Sequence, residues 1–333
     1  MKKAAIVILN YNGRQILPAF LPSVQQHSRF DRWVIDNAST DDSLDFLRSD
    51  FPGVQLIPLQ SNFGYAGGYN RGLEELKGKY EYFILLNSDV EVTADWDAAM
   101  INWLEEHPDY AALQPKILSW QDRQSFDYAG AGGGYLDSLA YPYCRGRIWD
   151  TLEHDRGQYD DSVDVDWASG ACLVTRAEDF FDQGGFDAQF FAHMEEIDLC
   201  WRWRRSGRKI GYLGAVTVFH QGGATLGRPS PHKLYLNIRN NLYMIYKNVA
   251  GWRFFGIIVA KTFMEGAAAM GYLIKGNRDF ALSIGRAYKD FLSQTNLFER
   301  PKKKSLPGRG TTGPVRFIFW NYIILRKRTF DRL

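Results

Sequence analysis

Cysteine is scarce in this chain. Cys144, Cys172 and Cys200 are the only three in 333 residues, and no two form a CxxC pair. That excludes a disulfide-stapled scaffold and points to a reducing compartment. A Gly-Lys-Ser/Thr triplet is also missing, so there is no Walker phosphate loop, and no GxSxG elbow supplies a serine nucleophile. Long apolar runs are few. Met1-Lys2-Lys3 precedes only Ala4 to Leu9, too short for a signal peptide, and reads as the start of a cytoplasmic fold. The longest candidate span, Trp252 to Ile274, is broken by Arg253, Lys261 and Glu265.

What is present supports a large core. Hydrophobic content of 45% and aromatic content of 15% exclude a disordered chain, and the length fits one large or two smaller domains. Net charge is +2 but uneven. Residues 299–333 carry ten Lys/Arg against two Asp/Glu, a basic tail on an acidic body.

The stretch Phe83-Ile84-Leu85-Leu86-Asn87-Ser88-Asp89 organises the rest. Its apolar residues read as a buried strand, and its end places an amide and a carboxylate at the sheet edge where α/β folds bind ligands. Asp89 offers hard oxygen ligands suited to Mg²⁺ or Mn²⁺. Earlier strands, Ala4 to Leu9, Arg32 to Ile35 and Val54 to Ile57, alternate with helices Ile16 to Gln26 and Ser43 to Arg48. This alternation predicts a parallel sheet, so Asn10, Asp36, Asn62 and Asp89 converge on one edge. Singly, each polar end also fits a turn or a cap. The glycine-rich run Asn62 to Gly72 does not fit GxGxxG and reads as a loop leading into a helix over Leu73 to Lys77. Thr93 caps a helix to Glu106. Ser125 to Asp150 reads as a hairpin or a mobile loop, with Gly130 and Gly132 to Gly134 as candidate hinges.

A second block follows. Glu195-Glu196-Ile197-Asp198 opens a helix, with Glu195, Asp198 and Arg202 on one face and Glu196 projecting elsewhere. The carboxylates favour the helix dipole and could also supply a general base. Two strands, Lys209 to Leu213 and Val216 to Phe219, end in His220-Gln221-Gly222-Gly223. His220 could complete a metal site with Asp89.

Taken in order, Val34 to Asp41, Asn62 to Gly72, Leu86 to Asp89 and Glu195 to Leu199 resemble family 2 glycosyltransferases, specifically the bacterial rhamnosyltransferase-like branch of cell-wall and surface-polysaccharide assembly. The resemblance covers roughly residues 3–245. It implies an α/β GT-A fold, a Rossmann-like and mostly parallel sheet, over 1–230, with a nucleotide-sugar half at about 1–110 and an acceptor half at 111–230. It implies an inverting transfer from a nucleotide-sugar donor, with dTDP-L-rhamnose suggested by the branch, and a divalent metal, Mg or Mn. Asn10, Asn12, Asp36 and Asn37 would hold the nucleoside, with Asp36 facing the base. Asn62, Gly64 and Asn70 would line the nucleotide side. Asn87-Ser88-Asp89 takes the place of the family's Asp-x-Asp. Asn87 removes one charged ligand, so Asp89 would carry most of the coordination, and His220 matches a metal-ligand position in some relatives. Glu195-Glu196 occupies the place of the catalytic pair, with Glu196 as the base and Glu195 as the alternative.

The C-terminal region, 231–333, reads as helical and basic. Trp252 to Ile274 fits a membrane-surface helix, an oligomer interface or a helix packed on the catalytic domain. Arg300-Pro301-Lys302-Lys303-Lys304 and Arg326-Lys327-Arg328 flank the apolar run Phe317 to Leu325. This suits an anionic membrane face and a glycan or polyprenyl-diphosphate-linked acceptor, and no nucleic-acid fold signature is present. Two other readings compete. A sugar nucleotidyltransferase would want a basic glycine loop after the first strand, which Asn10 to Arg14 does not provide. A non-catalytic sugar-nucleotide-binding protein is kept open by Asn87.

Overall fold

The computed structural model describes residues 1–222, 230–301 and 313–333. Gly223 and the cluster Lys302-Lys303-Lys304 lie outside the described residues. Continuous apolar runs become central strands because both sheet faces are covered. Strand β1 (Lys2–Asn10), helix α1 (Leu17–His27), β2 (Asp31–Asp36), α2 (Ser43–Asp50), β3 (Gln55–Pro58), α3 (Gly64–Glu74) and β4 (Tyr80–Asn87) alternate along the chain. The strands lie side by side in the order β4-β1-β2-β3, all parallel. Asn10 is in register with Asp36, and Leu9 with Asn87, so their polar ends share one edge.

Next come β5 (Val90–Val92), α4 (Trp96–Glu106), β6 (Tyr110–Ser119) and four short strands, β7 (Gly134–Leu136), β8 (Pro142–Cys144), β9 (Arg147–Ile148) and β10 (Thr151–Leu152). The chain continues through β11 (Ser162–Val165), β12 (Cys172–Arg176), α5 (Ala177–Asp182), α6 (Glu195–Arg205) and β13 (Lys209–His220). Strand β12 inserts antiparallel between β4 and β6, and β13 runs parallel to β6. The result is a mixed α/β sheet. Two expected strands are one: β13 bulges between Leu213 and Thr217 without ending. Helix α4 begins at Trp96, after left-handed Asp95, because the Thr93 hydroxyl donates to the Thr217 carbonyl.

Residues 134–152 form an antiparallel four-stranded sheet, the hairpin alternative for Ser125 to Asp150 and not the mobile loop. The C-terminal segment straps it down. The Ile318 N–H donates to Asp137 at 3.0 Å, the Phe330 N–H to Glu153 at 2.9 Å, and the Phe330 ring stacks on Tyr135.

The glycine-rich run is the main local surprise. It is helix α3 itself, not a loop before a helix. Close packing overrides the poor helix propensity of glycine. A Cβ on Gly68 would lie 2.8 Å from Leu9 Cδ1, and one on Gly72 only 2.1 Å from Ile35 Cδ1. These glycines let α3 sit against the sheet. Gly72→Ala is therefore expected to destabilise the fold by about 1–3 kcal/mol through overpacking, read as a lower urea midpoint with an unchanged m-value.

Helices α7 (Pro231–Asn248), α8 (Gly251–Ile274) and α9 (Arg278–Gln294) complete the fold. Helix α8 is long and apolar enough to cross a bilayer by length and composition. The structure explains its internal charges. Lys261 and Glu265 pair at 3.0 Å on the narrow inward face, with the ammonium against the Tyr141 ring. The other faces are apolar and open: Trp252, Phe263 and Ile274 are 90%, 75% and 80% exposed.

Candidate active site

The loops after β1 and β2 are locked together at the sheet edge. Buried Asp36 accepts from Asn10 Nδ2 at 2.9 Å and from the Ser39 hydroxyl and N–H. Asn12, in the left-handed region, accepts the Thr40 N–H at 2.7 Å. Asn37 donates to Asn62 Oδ1 and to the Gly64 carbonyl, both at 3.0 Å. Asn10, Asn12, Asp36, Asn37, Asn62 and Gly64 thus form one connected floor. Asn70 differs. Both ends of its amide are taken by the Phe186 backbone, at 2.7 and 3.0 Å, so it fastens the Gly184–Phe186 turn to α3.

Asp89 and His220 meet across the β4–β5 turn and the end of β13. His220 Nε2 lies 3.2 Å from Asp89 Oδ1 and 3.5 Å from the Asn87 amide. Its other nitrogen, Nδ1, lies 2.9 Å from Asp127 Oδ1. The Asp89 and Asp127 carboxylates outweigh burial and push the imidazole up to about 10. Asp127 was not legible beforehand, since nothing in the pattern around Phe126-Asp127-Tyr128 marks it.

Glu195 and Glu196 open α6 after a strained entry. Phe191, His193 and Met194 all hold positive φ, at 63°, 70° and 72°. Buried Asn240 on α7 fixes this bend by donating to the carbonyls of Phe190, Ala192 and His193 at 2.9, 2.8 and 2.7 Å. The only advance signal of Asn240 was an amide on the apolar face of α7. Asp198 is turned away from the cleft by Arg202, Lys247 and Asn248. Among the described residues the two glutamates have no such partners, and Oε2 of each is shielded from solvent without a hydrogen bond. Burial pushes Glu196 up to about 7, while burial and the charge of Glu196 raise Glu195 further. Asn240→Ala should release the bend and cost about 2–4 kcal/mol, since the Ala192 and His193 carbonyls lose this donor while Phe190 keeps Arg239 and the Ala192 N–H. Thermal unfolding of the variant checks this.

These groups close a ring around one cleft. The Asn87 N–H donates to the Ala171 carbonyl, the Gly170 carbonyl accepts from Tyr65 Oη, and Tyr65 lies beside Glu195 and Glu196. On the other side the path runs from Asp89 through His220 to Asp127 and the Lys233 side chain, whose charge also reaches His193.

Residues 5–128 match the family described as Glycosyl transferase family 2. Over 264 residues the chain is 26% identical to the N-acetylglucosaminyl-diphospho-decaprenol L-rhamnosyltransferase of Mycobacterium tuberculosis, spanning 74% of this chain and 85% of that relative. Residues 5–128 carry a family 2 glycosyltransferase domain. This glycosyltransferase shares its fold with S. aureus TarS 1–349, solved with UDP-GlcNAc, at a TM-score of 0.56 and 16% identity, covering 88% of this chain and 81% of TarS 1–349. It also resembles the mannosyltransferase PcManGT of Pyrobaculum calidifontis, solved with GDP-Man and Mn²⁺, at a TM-score of 0.53 and 13% identity, covering 87% of each. At these identities the likeness shows the GT-A fold alone. The domain match and the glycosyltransferase relatives support a glycosyltransferase enzyme over the non-catalytic and nucleotidyltransferase readings.

Proposed function

We propose that this enzyme moves a hexosyl group, rhamnosyl from dTDP-L-rhamnose, onto a glycan or a polyprenyl-diphosphate-linked saccharide in cell-wall or surface-polysaccharide synthesis. The observation that carries the reading is the pair of shielded, unpartnered carboxylate oxygens on Glu195 and Glu196, across the cleft from Asp89 and His220. A buried acceptor without a donor is rare unless a ligand supplies one. The N-acetylglucosaminyl-diphospho-decaprenol relative supports a lipid-linked acceptor.

In this reading the acceptor hydroxyl attacks the anomeric carbon as the bond to the nucleotide diphosphate breaks. The hydroxyl proton passes to Glu196, and the anomeric centre inverts. Glu196 fits the base because it titrates near neutrality and is only partly buried, whereas Glu195 is buried and raised further. The Asn10-to-Asn62 floor holds the nucleoside. The division into a 1–230 catalytic domain, with donor and acceptor halves, and a 231–333 helical region belongs to the same proposal.

A divalent cation fits Asp89 and His220, where it would take the place of the proton that the two carboxylates otherwise hold on the imidazole. Among the described residues no three His, Cys, Asp or Glu side chains form a complete metal cage. A carboxylate faces an imidazole nitrogen whose partner nitrogen is held by a second carboxylate, an arrangement typical of metal-binding histidines. Mg²⁺ or Mn²⁺ commonly takes few protein ligands and completes its shell with phosphate oxygens and water. When bound, the cation would neutralise charge on the leaving diphosphate.

The apolar outer face of α8 and the run Phe317 to Leu325, with Arg326, Lys327 and Arg328 beside it, fit the cytoplasmic face of an anionic membrane. Phe263→Asp should lower sedimentation with phosphatidylglycerol vesicles. Vesicle binding unchanged by the substitution, with self-association lost instead, would assign this face to an oligomer.

Thermal shift with dTDP-, UDP- and GDP-sugars, each with Mn²⁺, Mg²⁺ or EDTA, tests the donor and metal. The largest shift is expected with dTDP-L-rhamnose and metal. A larger shift with another donor, or equal shifts in EDTA, would contradict the assignment.

A further inference from the structure

One pair of cations at the cleft is not used by the mechanism above. Arg147, on β9, lies 3.3 Å from the centroid of the Tyr128 ring, and Lys233, in the first turn of α7, lies 5.3 Å from the same centroid. Arg147 also donates to the carbonyls of Tyr128 and Trp149, which fixes the guanidinium without neutralising it. Neither side chain forms an ion pair among the described residues, and the remaining residues, 223–229 and 302–312, contain no carboxylate.

The nearest anion is Asp127, but it is committed. Its Oδ1 binds His220 Nδ1 and the Ala129 N–H. Asp127 is thus shared between the imidazole, which Asp89 also faces, and the two cations. Burial and the charge of Arg147 accordingly lower the Lys233 ammonium below the ordinary lysine range, with Asp127 opposing. Lys233 also influences His193, two residues before Glu195, which burial chiefly holds at about 4. Lys233 therefore feels both Asp127, the partner of His220, and His193 beside Glu195–Glu196. Like charges held together without a counter-ion of their own suit a multiply charged anion, with a guanidinium fork and a point charge as its two donors.

We propose that Arg147 and Lys233 form a diphosphate-binding subsite, distinct from the Asp89–His220 pair. It rests on the transferase reading, under which two diphosphates enter the cleft, one in the nucleotide-sugar donor and one in a polyprenyl-diphosphate-linked acceptor. The shared chemistry is the diphosphate.

Titration calorimetry of the full chain with inorganic pyrophosphate in EDTA reads this subsite without metal and without turnover. Wild type is expected to bind. Lys233→Gln and Arg147→Gln should each weaken binding about tenfold or more, and Lys233→Arg should restore it, with unfolding temperatures showing that the variants are folded. Pyrophosphate affinity unchanged in both folded glutamine variants, or not restored by Lys233→Arg, would overturn the subsite. Initial rates then distinguish the source. A raised KM for the lipid-linked acceptor assigns the acceptor's diphosphate, and a raised KM for the nucleotide sugar assigns the donor's. Pyrophosphate binding lost in the variants of a chain that transfers no sugar would keep the subsite while removing the transferase reading.

Discussion

Glu196→Gln is expected to lower kcat by about 10²- to 10⁴-fold, the usual contribution of a positioned general base. Donor affinity should stay within about twofold, because the carboxylate is used in the transition state and not in donor binding. The wild-type pH profile carries a second signature. Burial holds Glu196 at about 7, so kcat/KM should rise as pH passes through neutrality and the base loses its proton. The apparent value belongs to the Glu195–Glu196 pair, since neighbouring carboxyls titrate together. Glu196→Gln should remove this limb.

Stability should move the other way. A carboxyl whose folded pKa is raised stabilises the fold most when protonated, below its unfolded value of 4.5. That contribution is lost as pH rises through about 7. The glutamine variant never carries the buried charge. It should therefore be more stable than wild type at pH 8, with the gap closing towards pH 5. Denaturant midpoints at the two pH values check this. Reduced turnover together with reduced stability at pH 8 would mean a packing defect and not the loss of a base.

Asp89→Asn carries the second large effect. Asp89 is the carboxylate opposed to His220 Nε2, and Asn87 supplies no charge of its own. Replacing Asp89 leaves His220 held by Asp127 alone, so the fold should survive while cation affinity falls. Neutralising a leaving diphosphate is worth several kcal/mol, which places the expected loss of turnover at about 10²- to 10⁴-fold. Free Mn²⁺ followed by electron paramagnetic resonance should fall on adding wild type and nucleotide sugar, and should not fall with the variant. Equal Mn²⁺ uptake by both proteins would move the cation site elsewhere.

Much of the frame was legible from pattern alone. Val7, Leu85 and their neighbours sit in uninterrupted apolar runs that only central parallel strands explain, and the polar ends of β1, β2 and β4 follow from that topology. The Glu195–Glu196 pair stood out because α6 opens on carboxylates. What escaped depends on contacts distant in sequence. Asp127 matters only because β13 brings His220 to it, and Asn240 only because α7 passes the strained bend at 191–194. The helicity of Gly64–Glu74 was hidden by propensity, since nothing local announces that Ile35 and Leu9 leave no room for a Cβ. The structural role of the Asn70 amide was hidden for a related reason. Its partner is the backbone of Phe186, more than a hundred residues away.

The most direct test of single displacement with a carboxylate base is the anomeric configuration of the product, read from the one-bond carbon–proton coupling of the transferred sugar by NMR. Wild type with nucleotide sugar and acceptor should give a product of configuration opposite to that of the donor. A product that keeps the donor's configuration would contradict the account, because it would require a mechanism in which Glu196 is not the base of a one-step transfer.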